Sequence, residues 1–250
     1  MGVGNSRRST NFSRQGTKMN VYIGWDSREE DAYKVADFSL KKHSSLEMLQ
    51  TFPIKQKDVR EAGLYHRTDD KPGEGASVEF TYTRFLVPYL NDYKGWALFV
   101  DCDFLFTKDI AELFNMRDEK YALMCVQHDY VPKASIKMDG QKQTTYPRKN
   151  WSSCVLWNCG HPANNIIVPP LVNTASGAYL HRFQWLDDDM IGSLPLEWNW
   201  LEGEYDKPED PPAVVHYTNG GPWFEDHKDC DYGQEWLDTL AEVKKEESIV

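Results

Sequence analysis

Apolar residues along the chain fall into short runs separated by polar, helix-forming stretches, and this alternation sets the fold class. Met19–Gly24 is rich in Val, Tyr and Ile and is followed by Trp25-Asp26-Ser27 and an acidic stretch. That order predicts a strand, a loop and a helix with Ser27 as N-cap. Residues 32–42 carry Val35, Phe38 and other apolar groups at helical spacing, and Leu49–Ile54 predicts a second, short strand. Strand followed by helix favours a parallel sheet. Residues 66–77, rich in Gly, Asp and Lys, read as a loop. Phe85, Leu86, Tyr89 and Leu90 recur around Arg84 and predict a buried helix over Phe80–Leu90. Trp96–Val100 is an unbroken apolar run of strand length, the pattern of a strand covered on both faces, and it ends on Asp101. A helix over Ile110–Phe114, a strand over Tyr121–Val126, a polar loop over 130–150, a strand over 151–158 and helices over 171–186 and 233–245 complete the reading.

Composition narrows the class. The 250 residues suit one large α/β domain. Residues 1–18 carry Arg7, Arg8, Arg14 and Lys18 among Ser, Gly and Asn, too polar to bury a core, and are expected to be a disordered tail ahead of a single domain over 19–250. A formal net charge of -11 argues against a nucleic-acid partner, whose phosphates call for clustered Lys and Arg, and leaves room for a divalent cation. No apolar run approaches the roughly 20 residues of a membrane span, and the head lacks a signal peptide's apolar centre, so a soluble, cytoplasmic protein is expected. Cys102, Cys125, Cys154, Cys159 and Cys230 include no Cys-x-x-Cys pair and read as buried, reduced thiols.

Chemistry concentrates at Asp101-Cys102-Asp103. On an extended backbone residues i and i+2 face the same way, so both carboxylates can aim at one point beyond the strand end, where α/β sheets gather ligands. A Mg²⁺ or Mn²⁺ completed by substrate phosphates suits such a pair. Two other readings stand beside it. Asp101 could simply turn the chain while Asp103 is solvated. An aspartyl phosphatase also places Asp-x-Asp after an apolar strand, although Phe104-Leu105 replaces the small residues usual there.

Around these residues the chain resembles glycosyltransferase family eight. The likeness rests on Val21–Asp26, Thr81–Pro88, Trp96–Phe114 and His216–Trp223, which occur in the family's order over roughly residues 19–224. The resemblance implies an A-type glycosyltransferase fold, a mixed, mainly parallel sheet flanked by helices, and transfer of a hexose from a UDP-sugar to a carbohydrate or other hydroxyl acceptor, with Mn²⁺ or Mg²⁺ and with retention. By position, Asp101, Asp103 and His216 match the metal ligands. Taken alone, a histidine after Ala213-Val214-Val215 is ordinarily a core residue; the following Gly220-Gly221-Pro222-Trp223 is what aligns it. Arg84 matches the arginine that reaches the donor sugar and phosphates, and a buried arginine in any case needs an anionic partner such as a diphosphate or Asp101. Ile23, Gly24 and Asp26 match the nucleoside-binding strand, with Cys102 beside them, although Gly24 is equally readable as a turn glycine.

Asp187-Asp188-Asp189 resembles the family's Asp-Gln-Asp segment beside the reacting sugar, with Asp188 at the central Gln. Three ionised carboxylates would crowd one another in a closed site, so Asp187 and Asp189 are the expected catalytic pair, one of them taking an acceptor hydroxyl. The bland alternative for an acidic run is a solvated face. Two departures stand out. The family lysine before Pro-Trp is missing, so Gly220 and Gly221 as an anion nest, or Arg148 or Lys149, would grip the diphosphate. Trp151-Ser152-Ser153-Cys154 replaces the family's Asn-x-Gly. Most of the nine tryptophans read as core, with Trp198, beside Asn199 and Glu202, and Trp200 as the candidate acceptor wall. A protein that binds nucleotide-sugars without turnover remains the other alternative.

Overall fold

The computed structural model describes residues 18–71, 75–129 and 147–249. All but Lys18 of the expected tail, and parts of the loops expected at 66–77 and 130–150, lie outside the described residues.

Nine strands are described: β1 (Met19–Gly24), β2 (Leu49–Ile54), β3 (Trp96–Val100), β4 (Phe104–Phe106), β5 (Leu123–Val126), β6 (Cys154–Asn158), β7 (Ile191–Leu194), β8 (Trp200–Leu201) and β9 (Val214–His216). Six form one sheet in the order β2-β1-β3-β6-β5-β7. β1 runs parallel to β2 and β3, β5 runs parallel to β7, and β6 alone is reversed against its neighbours β3 and β5. The sheet is thus mixed and mainly parallel. β3 lies inside it with all five residues buried, as its continuous apolar run requires. A second, three-stranded sheet in the order β4-β9-β8 stands beside the end of β3.

Helix α1 (Glu30–His43) joins the two halves. Its buried stripe of Ala32, Val35, Ala36, Ser39 and Leu40 follows helical spacing. Ala36 and Leu40 enter the core of the large sheet, while Ala32 and Val35 meet Leu105, Val215, Tyr217 and Trp236 in a second cluster. Trp236 comes from the C-terminal helix α2 (Gly233–Glu247).

Several local expectations change. Ser27 does not cap α1; its hydroxyl and amide both turn to Glu79, and Glu29 occupies the cap position. Phe80–Leu90 is a 3₁₀ turn over Thr83–Leu86 followed by a single α turn at Val87–Leu90, because Pro88 has no N–H to continue the ladder from Arg84. The helix expected over 171–186 divides into Pro169–Thr174 and Gly177–His181, since Ser176 turns extended and its Oγ caps the second piece through Tyr179 N at 3.1 Å. The strand expected from residue 151 begins at Cys154, after a 3₁₀ turn over Trp151–Ser153.

Candidate active site

Val100, the last residue of β3, pairs with Ile23 on one side and Cys154 on the other. Asp101 continues past the strand, its N–H donating to Ser153 O at 3.0 Å. Three residues on, β4 begins, and its register sets Phe104 opposite His216. Asp103 O then accepts from Tyr217 N at 3.0 Å, so the ladder delivers His216 beside Asp103. His216 Nε2 stands 3.4 Å from Asp103 Oδ1. One ligand atom each from Asp101, Asp103 and His216 lies within 4.8 Å of the others. Residues more than a hundred positions apart in sequence therefore converge where the alternation of side chains aimed the two carboxylates.

Arg84 is buried beside them. Its Nη1 donates to Asp101 Oδ1 at 2.7 Å and to Ser152 O at 3.0 Å. The guanidinium lies 5.1 and 5.2 Å from the ring centres of Phe80 and Phe99. Of the two anionic partners expected for it, Asp101 is the one present. Cys102 points the opposite way from its neighbours, fully buried, with its thiol donating to Glu29 Oε2 at 3.2 Å. Burial, then the charge of Glu29, pushes that thiol well above its ordinary range. Its side chain thus faces α1 and not a nucleotide, which corrects the expectation; only its backbone borders the site.

The nucleoside-binding residues also change meaning. Ile23 and Gly24 are buried. A Cβ on Gly24 would come within 2.5 Å of the Phe80 ring, so the glycine serves a close approach of that ring to the strand and not a turn. Asp26 is fully buried. It accepts from Arg28 N and Nε at 2.9 Å, from Arg28 Nη2 at 2.8 Å and from Glu79 N at 3.0 Å. Burial works against its charge, yet these bonds hold its pKa below the usual carboxylate value. Asp26 is a clasp between two loops, with no exposed oxygen for a ribose.

The acceptor wall is not where it was expected. Trp198 and Asn199 are fully buried and Trp200 is 3% exposed. A tryptophan packed into the main core presents no face to a sugar. Asn199 instead bonds His216 Nδ1 at 2.8 Å and Ser153 Oγ at 2.9 Å. Half-buried Glu202 accepts from Asp231 N at 3.1 Å, and burial raises its pKa. Asp187, Asp188 and Asp189 are all exposed, so the anticipated crowding does not arise; Asp188 pairs with Arg148. Gly220 donates its N–H to Tyr217 O at 2.9 Å, which removes that amide from an anion nest. A Cβ on Gly221 would collide with Trp223 at 2.1 Å.

Two buried groups, His128 and Glu29, were unannounced. His128 is buried, its Nδ1 2.9 Å from Tyr205 OH, and burial, then the charges of His216 and Lys149, holds its pKa down to about 3. Lys149 is itself buried, whereas the Arg148 guanidinium is spent on Asp188 and the carbonyls of Arg182 and Phe183. Glu29 lies buried under Cys102, and burial together with Asp103 raises its pKa well above the carboxylate range. The one signal for Lys149 was the missing lysine downstream; His128 and Glu29 had none.

Among the described residues no helix is long and apolar enough to cross a membrane. A sequence model described as glycosyl transferase family 8 matches residues 1–160. Protein CDI of Arabidopsis thaliana is 52% identical over 246 residues, which span 96% of this chain and 93% of that protein. Among solved structures, the glycosyltransferase GlyE of Streptococcus pneumoniae TIGR4 superposes with a TM-score of 0.59 at 16% identity, over 92% of this chain and 63% of GlyE. The galactosyltransferase LgtC, solved with donor and acceptor sugar analogs, superposes with a TM-score of 0.53 at 13% identity, over 90% of this chain and 96% of LgtC. At these identities the structural likeness speaks for the A-type fold alone.

Proposed function

Because the chain belongs to glycosyl transferase family 8, we propose that it moves a hexose from a UDP-sugar to a hydroxyl of a carbohydrate or other acceptor, with retention, using Mn²⁺ or Mg²⁺. The convergence of Asp101, Asp103 and His216 supports this reading most directly. Two carboxylates and an imidazole make a donor set that suits Mn²⁺ well and Mg²⁺ less closely. When bound, the ion would act as a Lewis acid toward the departing diphosphate.

The protein's own residues supply the rest. Arg84 orients Asp101 through their ion pair and places positive charge where negative charge builds on the leaving group. Lys149 takes the part of the missing lysine. Asp187 and Asp189, exposed and close in sequence to the Arg148–Asp188 pair, are the carboxylates offered to the sugar. Ile23 and Gly24 would form the floor of the nucleoside end, and Gly221 would offer its amide to the diphosphate. Five unpaired cysteines accord with a reducing compartment such as the cytoplasm.

The test is incubation with a panel of nucleotide-sugars and Mn²⁺, with Asp103→Ala as control. Metal-dependent release of UDP that the variant loses is the expected result. Phosphate release from simple monoesters would instead make the protein an aspartyl phosphatase, and UDP binding with no turnover on any donor and acceptor would make it a binding module.

A further inference from the structure

The turn that departs from the family pattern, Trp151–Ser153, is tied to both ends of the candidate metal cluster. Ser153 O accepts from Asp101 N at 3.0 Å. Its side chain reaches the other way: Ser153 Oγ donates to Asn150 O at 2.7 Å. A serine hydroxyl has one proton, and that bond uses it. Ser153 Oγ therefore meets Asn199 at 2.9 Å as an acceptor, which requires the Asn199 amide to turn its Nδ2 toward the serine. The Asn199 carbonyl then faces His216 Nδ1 at 2.8 Å, and a carbonyl only accepts, so Nδ1 must carry the proton. Asn199 is fully buried and His216 is 2% exposed, so water does not compete for these bonds.

We propose that Asn199, oriented by Ser153 and Asn150, is a positioning residue that fixes His216 as its Nδ1-protonated tautomer and so presents the Nε2 lone pair to the point shared by Asp101 and Asp103. This rests on reading His216 as a metal ligand. It gives a physical role to the Ser153 substitution and replaces the acceptor role expected for Asn199. The chain of bonds starts at Asn150, whose φ of 61° lies in the left-handed region that asparagine tolerates better than most residues. Outer partners of metal-bound histidines typically alter affinity by 10- to 100-fold when removed.

The experiment pairs two readouts on the full chain. Protein labelled with ¹⁵N-histidine, metal-free at about pH 8, above the ordinary histidine range, is examined by long-range ¹H–¹⁵N correlation, with His216 assigned by its loss in His216→Ala. Mn²⁺ binding, alone and with UDP, is followed by the electron paramagnetic resonance of the unbound ion. The expected pattern is a protonated Nδ1 and bare Nε2 in the wild type. Asn199→Leu and Ser153→Ala weaken Mn²⁺ binding about tenfold or more, while Asn199→Asp, which keeps an acceptor facing Nδ1, retains it. A bare Nδ1 with protonated Nε2 overturns the inference, as does unchanged Mn²⁺ binding in Asn199→Leu. A wild type that takes up no Mn²⁺ with or without UDP overturns the metal reading itself; a protonated Nδ1 in that protein would still uphold the orientation set by Asn199. Thermal melts identify a variant that fails to fold, in which case Ser153→Ala against Asn199→Asp carries the comparison.

Discussion

Arg84 Nη1 and Asp101 Oδ1 are 2.7 Å apart, with side-chain exposures of 7% and 14%. Removing one member of a buried pair leaves the other charged and unsolvated, and here it also strips the hydrogen bond from Ser152 O. Arg84→Ala should cost about 3 kcal/mol of stability and lower UDP release roughly a hundredfold. Arg84→Lys should recover part of the stability and little of the rate, because a compact ammonium loses the Nε bond to Phe80 O and the planar packing beside the Phe80 and Phe99 rings that hold the charge in place. Urea unfolding beside turnover assays separates the two effects; a lysine variant with full activity would contradict the orienting role.

Gly24→Ala probes packing alone. The added methyl meets the Phe80 ring at 2.5 Å, and φ at this position is an ordinary strand value, so the penalty is steric. A loss of about 1–3 kcal/mol is expected. Phe80→Leu in the same chain should return part of it in a double-mutant cycle. Additive losses would mean that the two residues do not press on each other.

His128 gives a pH dependence with a definite sign. Its pKa lies near 3 in the folded protein, against an ordinary 6.5, because burial and then His216 and Lys149 oppose its protonation. Between these values the unfolded chain binds the extra proton. The contribution is whole above 6.5 and is lost as pH falls toward 3, by up to about 1.4 kcal/mol per unit. Urea midpoints at several pH values in this window should fall more steeply for the wild type than for His128→Gln. Equal slopes would show that His128 is already protonated in the fold.

Asp187→Asn and Asp189→Asn test the exposed acidic segment. Neither carboxylate is buried, so both variants should melt within a degree or two of the wild type. At least one should lose about tenfold or more in kcat. Full turnover in both would return the segment to a solvated face.

The fold was legible where pattern and environment coincide. Trp96–Val100 is apolar throughout because both faces of the sheet are covered, and the Asp-x-Asp after it needs only strand geometry to aim two side chains together. Helix breaks were harder. Pro88 and Ser176 were visible, but the apolar spacing around them masked the interruptions. Side-chain roles set by distant partners were harder still. Asp26 looks like a ligand until the loop at Glu79 folds onto it. Asn199 looks like a surface amide beside tryptophans until β8 runs parallel to β9 and brings the stretch before it against His216. Spacing along one strand predicts direction; it carries no information about which strand arrives alongside.

The register that sets Phe104 opposite His216 has a consequence for fragments and for family boundaries. Residues 1–160, the part that the family model matches, hold both aspartates and Arg84 but stop short of the histidine. A chain severed there would keep its pedigree and lose the capacity to close the cluster. In such a fragment the two aspartates would stand without their imidazole, which is synthesised last, when the ribosome has passed residue 216.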